Sequence, residues 1–223
     1  MAAELLAERR YATGFEDVVA VSGSIIYDYF GRRNSVYPDK ALGRAAARTA
    51  RPGRFPLGRG GADRFAACGG LFTPEPAGRG GAFREMGQIK VAAFVVVNSL
   101  GAILDRSGRV VKGAPGLRRW PGVVAETEIE RRIAGGDAEV PPFGNTTLAV
   151  VVTKRRMSQG VLAYFGRQLH ASLARAVQPF HSAFDGDALY AITTGESPVE
   201  PSDDTRLGIV ASEVAWDAIL SIP

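Results

Sequence analysis

The run Lys90-Val91-Ala92-Ala93-Phe94-Val95-Val96-Val97-Asn98 constrains the fold of this chain more than any other stretch. It is almost continuously apolar and rich in β-branched residues. A run of this kind predicts a central strand in a sheet covered on both sides. A second run, Thr146-Thr147-Leu148-Ala149-Val150-Val151-Val152-Thr153, follows Gly144-Asn145 and opens on a hydroxyl. Burying two such strands takes a sizeable core, and 223 residues at 46% hydrophobic content can build one. Each run carries a polar group at its end: the Asn98 amide on the first, the Thr146 hydroxyl on the second. Gly135-Gly136 and Pro141-Pro142 break the approach to Thr146, so 112–145 reads as an exposed linker with one short helix at 126–133.

A threonine at the mouth of a buried strand, behind such a linker, is what an N-terminal-nucleophile hydrolase needs. Cleavage of the Asn145–Thr146 bond would give Thr146 both a hydroxyl nucleophile and a free α-amine. An unperturbed α-amine has a pKa of about 7.7–8.0, close enough to neutrality to act as the base. Taken alone, however, an Asn-Thr-Thr sequence is more often just the start of a strand.

Composition excludes several other classes. The net charge of +4 comes from arginines scattered through loops, with no basic helix or aromatic-interleaved stripe to suggest a nucleic-acid partner. A single cysteine, Cys68, rules out an internal disulfide framework and a cysteine-rich zinc site, and reads as a small buried residue. No apolar run approaches the length of a membrane span, and Met1-Ala2-Ala3-Glu4 is not a signal peptide, which together predict a cytoplasmic protein. The glycines at 58–61 have neither the lysine of a phosphate loop nor the strand-turn-helix setting of a dinucleotide site.

Other elements follow from pattern. Residues 2–10 have helical composition but no cap, as though the chain were cut into. Residues 18–21 and 24–29 read as strands around Gly23, and Asp39-Lys40 leads into an alanine-rich helix over about 40–50, stopped by Pro52-Gly53. Residues 52–81, rich in Gly, Pro and Arg, read as long functional loops. Arg106-Ser107-Gly108 reads as a hairpin turn. Ser158 should cap a helix running to about 176, in which His170 reads as structural. The stretch 179–187 is a loop with two acids about Gly186, feeding a strand, and an amphipathic helix over about 203–221 closes the chain.

Eight segments in order then carry a resemblance: Ile26-Tyr27-Asp28, Tyr37-Pro38-Asp39, Gly80-Gly81-Ala82-Phe83-Arg84, Lys90-Val91, Val96-Val97-Asn98-Ser99-Leu100-Gly101, Asp105-x-x-Gly108-Arg109-Val110-Val111, Asn145-Thr146-Thr147-Leu148 and Phe184-Asp185-Gly186-Asp187. Over residues 17–221 the chain resembles the self-processing aminopeptidases, a family that includes D-aminopeptidases, β-peptidyl aminopeptidases and nylon-oligomer endohydrolases. Asn-Thr-Thr-Leu and Tyr-Pro-Asp-Lys favour the nylon-oligomer branch.

The resemblance implies an α/β fold, an α-β-β-α sandwich, made as a precursor and cut into chains 1–145 and 146–223 that stay intertwined in one domain. Thr146 would be the nucleophile and Asn98 the oxyanion donor. Asp185 and Asp187 would orient Thr146 and its amine, and Tyr27 would lie in the substrate cleft. Substrates would be small linear amides, nylon-type oligomers or peptides, turned over without metal or cofactor by a tetramer-like homo-oligomer. Two departures stand out. Where family members carry a lysine, this chain reads Ala66-Ala67-Cys68-Gly69-Gly70-Leu71, with Gly70 in the lysine's place. The family's first hundred or so residues would also precede Met1. The departures feed a second reading, an inactive or structural homologue. A third is an acyl transferase resembling ornithine acetyltransferase, which would pass the acyl group to an amine.

Overall fold

The computed structural model describes residues 22–28, 35, 37–61, 64–116, 134–135, 146–197 and 204–223. The expected helices at 2–10 and 126–133, the strand at 18–21 and Asn145 lie outside them. The chain divides into two units, Met1–Ile25 with Arg33–Phe55, and Ile26–Arg32 with Pro56–Pro223. In the first, helix α1 (Lys40–Thr49) starts where expected: the Asp39 side chain accepts from the Leu42 amide at 2.7 Å. None of its residues is buried. Residues 24–25 of the first unit and 26–28 of the second form no strand, contrary to the sequence reading. Ile25 and Tyr27 stand exposed, and among the described residues no strand pairs with this stretch.

The centre of the second unit is a four-stranded sheet. Its members are β3 (Gly78–Met86), β4 (Ile89–Val97), β7 (Leu148–Arg155) and β9 (Ala188–Ser197). β4 is interior, as its composition predicts, pairing antiparallel with β3 and with β7; β9 runs parallel to β7. Helix α2 (Gln159–Ser172) makes the crossover between those parallel strands, and the Ser158 hydroxyl caps it by accepting from the Val161 amide. A turn of 3₁₀ helix at Leu173–Arg175 follows. Helix α3 (Asp204–Leu220) ends the chain.

Alternate residues of the strands decide the core. Val91, Ala93, Val95 and Val97 of β4 and Ala149 and Val151 of β7 are buried in one cluster with Phe165 and Leu169 of α2 and Leu207, Ala211, Val214, Ala215 and Ile219 of α3. The opposite face is apolar too, through Phe94, Val96, Val150 and Val152, yet Phe83 and Ile192 on it are 60% and 44% exposed. Cover on both sides was expected. Among the described residues the helices cover one face only.

Residues 52–81 are less loop-like than they read. They include β1 (Ala67–Cys68), β2 (Glu75–Pro76) and the start of β3. Glycine masks the strand in the sequence, yet the packing requires it: a Cβ on Gly80 would sit 1.8 Å from the Ala218 carbonyl oxygen of α3. The hairpin forms as expected, from β5 (Ala102–Leu104) and β6 (Val110–Lys112). Asp105 Oδ1 fixes its turn by accepting from the Ser107 amide and hydroxyl and the Arg109 amide. Strand β8 (Val177–Gln178) adds to β5, giving a second sheet in the order β6-β5-β8.

Candidate active site

The topology brings three distant stretches to one end of the large sheet. Asn98 follows the last residue of β4; Thr146 and Thr147 precede antiparallel β7; Asp187 precedes β9, which starts in register with β7 through Leu148 and Ala188. All three sites are nearly closed to solvent, with Asn98, Thr146, Thr147 and Asp187 buried. The Thr146 amide donates to the Asn98 carbonyl at 2.5 Å. This is the nitrogen that would become the free α-amine.

Asn98 is held at both ends of its side-chain amide. Oδ1 accepts from the Ala67 amide at 3.1 Å, and Nδ2 donates to the Tyr27 carbonyl at 3.2 Å. These partners fix which end is the donor. Tyr27 therefore reaches the site through its main chain. The segment 67–71 is stitched along the same corner: Ser99 N–H donates to Ala67 O, Gly70 N–H to Ser99 O, Leu71 N–H to Leu100 O and Gly69 N–H to Gly101 O. Gly70, which the resemblance sets in the place of a lysine, thus lies against Ser99 and Leu100, the two residues that follow Asn98. A Cβ there would meet Leu100 Cδ2 at 3.3 Å, and the end of a side chain is easier to displace than backbone. Cys68 is fully buried, and burial pushes its thiol up to about 12, so it is no nucleophile.

The other wall is the loop 179–187. A close approach docks it: a Cβ on Gly101 would lie 2.1 Å from the Pro179 carbonyl oxygen, so only glycine lets the Asn98 corner and the start of the loop touch. Asp187 Oδ1 accepts from the Thr147 amide at 2.5 Å and Oδ2 from the His181 amide at 2.9 Å. Burial, seconded by the neighbouring Asp185 charge, raises the pKa of Asp187 despite those two donors. Asp185 Oδ2 accepts from the Ser182 amide and hydroxyl at 3.0 and 2.6 Å. Its Oδ1 is buried without a hydrogen-bond partner among the described residues.

The predicted Asn98, Thr146, Asp185, Asp187 and Tyr27 accordingly gather around one sheet end. Sequence reading did not find the supports His181, Ser182 and Ala67. The Ser182-x-x-Asp185 spacing was the one available signal, since a side-chain turn of that kind is local. Main-chain donors such as the Ala67 amide leave no trace in residue identity. Among the described residues no group of three or more His, Cys, Asp or Glu could hold a metal ion.

Two solved structures share the fold. A Burkholderia sp. beta-aminopeptidase superposes with a TM-score of 0.53 at 17% identity, over 81% of this chain and 50% of that one. An Ochrobactrum anthropi L-aminopeptidase D-Ala-esterase/amidase, described as a variant of the Ntn-hydrolase fold, gives 0.53 at 14% identity, over 81% and 48%. The architecture is therefore the α/β fold of the Ntn-hydrolase-type aminopeptidases. The model of peptidase family S58 matches residues 10–221, and the chain belongs to that family. It is 43% identical over 97% of its length to a 6-aminohexanoate-oligomer endohydrolase of Agromyces sp. (strain KY5R), and 42% to one of Paenarthrobacter ureafaciens. It spans 64% of the length of each of these relatives.

Proposed function

We propose that this chain is an amide-bond hydrolase that cuts itself before Thr146 and then uses Thr146 as its nucleophile. In the self-cleavage, Thr146 Oγ attacks the Asn145 carbonyl carbon. The C–N bond breaks as the C–O bond forms, leaving an ester on Oγ and a free amine on Thr146; water then hydrolyses the ester. Each turnover repeats the chemistry on a substrate amide. The amine base takes the hydroxyl proton and returns it to the leaving nitrogen, and water releases the acid from the acyl-enzyme. The substrates we infer are linear amides, either 6-aminohexanoate oligomers or small peptides, in line with the endohydrolase and aminopeptidase names of the relatives.

The observation that supports this reading is that the Thr146 amide donates to the Asn98 carbonyl while the next amide, that of Thr147, donates to Asp187 Oδ1. Asn98 Nδ2 serves the developing oxyanion, shared with or taken over from the Tyr27 carbonyl. The buried, unpartnered Asp185 Oδ1 is an acceptor suited to the ammonium that cleavage creates. Asp187 holds the following amide and so fixes the direction in which Thr146 points. Residues 1–145 and 146–223 would stay joined after the cut, because β4 and β7 pair along Val91–Val96 and Leu148–Thr153 in the core of the sheet.

Gly70 favours a second reading, a homologue that keeps the fold without turnover, since glycine supplies no charge to the corner at Ser99 and Leu100. Intact mass measurement of the purified chain under denaturing conditions decides between them. Fragments 1–145 and 146–223 are the expected result, followed by release of amines from 6-aminohexanoate oligomers. A single uncut chain with no amide turnover overturns the proposal.

A further inference from the structure

The two acids of the loop wall divide their donors unevenly. Asp187 takes the Thr147 amide on Oδ1 and the His181 amide on Oδ2. Asp185 takes both of its bonds on one oxygen: Oδ2 accepts from the Ser182 amide at 3.0 Å and from the Ser182 hydroxyl at 2.6 Å. Its Oδ1 is buried with no donor among the described residues. A carboxyl group is planar, so two donors fixed on one oxygen also fix where the other oxygen points.

The backbone explains how Ser182 comes to hold Asp185. His181 has φ +55°, and a residue in the left-handed region turns successive main-chain amides toward one side, a concavity that suits anions. Here the His181 amide goes to Asp187 and the Ser182 amide to Asp185, so adjacent donors serve separate acids. The Asp185 amide donates back to the Ser182 carbonyl at 3.0 Å, which closes a four-residue turn. Main-chain bonds therefore close this turn without the serine hydroxyl. The hydroxyl adds something else: a bond to the carboxylate itself, short enough to rank with charge-assisted ones.

We propose that Ser182 is a positioning residue for the Thr146 centre: its hydroxyl ties back Asp185 Oδ2 and so presents the empty Oδ1 to the amine that self-cleavage creates on Thr146. A carboxylate carried on a loop could otherwise swing about its own side-chain bonds, and the amide bond alone leaves it a pivot. The serine removes that freedom before the amine exists, so the acceptor is already in place when the ester forms.

The consequence for catalysis rests on the function proposed above; the hold on the carboxylate does not, and the experiment reads both. The side-chain carboxyl carbon resonance of Asp185, assigned by its loss in Asp185→Asn, is compared in three proteins. They are the wild type, Ser182→Ala (hydroxyl lost, main chain kept) and Ser182→Thr (hydroxyl kept). The resonance is expected to move in Ser182→Ala and to return in Ser182→Thr, at similar melting temperatures. Self-cleavage and kcat should fall about tenfold in the alanine variant, with KM unchanged, and recover in the threonine variant. An unmoved resonance in Ser182→Ala overturns the inference, and so do wild-type rates there despite a moved resonance. Should that variant not fold, Ser182→Cys takes its place, since a thiol is a weak donor. A moved resonance with slowed rates then supports the inference, and a wild-type value for either rejects it. A wild type that never cleaves rejects the nucleophile reading, and the resonance comparison still decides whether Ser182 sets the Asp185 carboxylate.

Discussion

The two walls that flank Thr146 are built on different physics. The Asn98 wall is neutral and rigid: a strand end, a side-chain amide tied at both ends, and the segment 67–71 bonded to it through main-chain groups. The Asp185–Asp187 wall is charged and carried by a loop, held by amides donated to its carboxylates and by one residue at positive φ. The groups by which the first wall acts are amides, which do not titrate, so its contribution should be indifferent to pH. The second depends on a carboxylate that burial already pushes toward its protonated form. On the proposed function, a neutral donor would serve the oxyanion and a charged acceptor the amine, complementary tasks carried by separate elements.

The largest effect should come from the group between the walls. Thr146→Ala removes the nucleophile and is expected to abolish both self-cleavage and turnover, leaving one uncut chain by mass; turnover by such an uncut variant would sink the mechanism. Next, Asn98→Ala should lower kcat by about 10²–10³-fold, the usual cost of losing an oxyanion donor. Because those amides do not titrate, the loss should be the same across the pH–rate profile; a loss confined to one limb would erase the distinction between the walls.

Asp187→Asn is expected to slow self-cleavage by about 10- to 100-fold, because an amide cannot accept at both of its ends. Here pH sharpens the comparison. The pKa of Asp187 is raised in the folded chain, so the folded state takes up this proton more readily than the unfolded one. Stability from this group therefore increases as pH falls into the window just above the ordinary carboxylate range, while activity, which needs the carboxylate as acceptor, declines over the same window. Melting temperature and rate measured against pH should diverge there in the wild type and run parallel in Asp187→Asn. The smallest effect expected is that of Gly70→Lys, a several-fold faster self-cleavage, with Leu100 shifting by a few tenths of an ångström to admit the side chain. No change in rate would mean that the neutral wall works without a cation.

Much of the fold was legible because it rests on local pattern. β4, β7, the Asp39 and Ser158 caps, the hairpin at Arg106-Ser107-Gly108 and the closing helix follow from apolar runs, capping residues and turn chemistry. The failures have physical causes as well. Residues 24–28 have β-branched and aromatic composition, but among the described residues no strand pairs with them. Residues 78–81 are mostly glycine and still form a strand, because β4 is in register beside them and at Gly80 α3 passes too close for a Cβ. Propensity describes a chain without neighbours, and both errors arise from neighbours.

The sequence by itself determined which atoms are available for chemistry: a threonine hydroxyl and its nitrogen at a strand mouth, an amide at a strand tip, and two acids about a glycine. It determined their types because chemistry resides in side chains and their immediate spacing. Only the tertiary structure decided that these groups meet. Antiparallel pairing of β4 with β7 sets the Thr146 nitrogen on the Asn98 carbonyl, parallel pairing of β7 with β9 sets Asp187 on the Thr147 amide, and the close approach at Gly101 brings the loop wall to the strand wall. Those contacts join residues tens of positions apart through main-chain hydrogen bonds. Every residue except proline offers the same main-chain donor, so the sequence could not say which donors would be used.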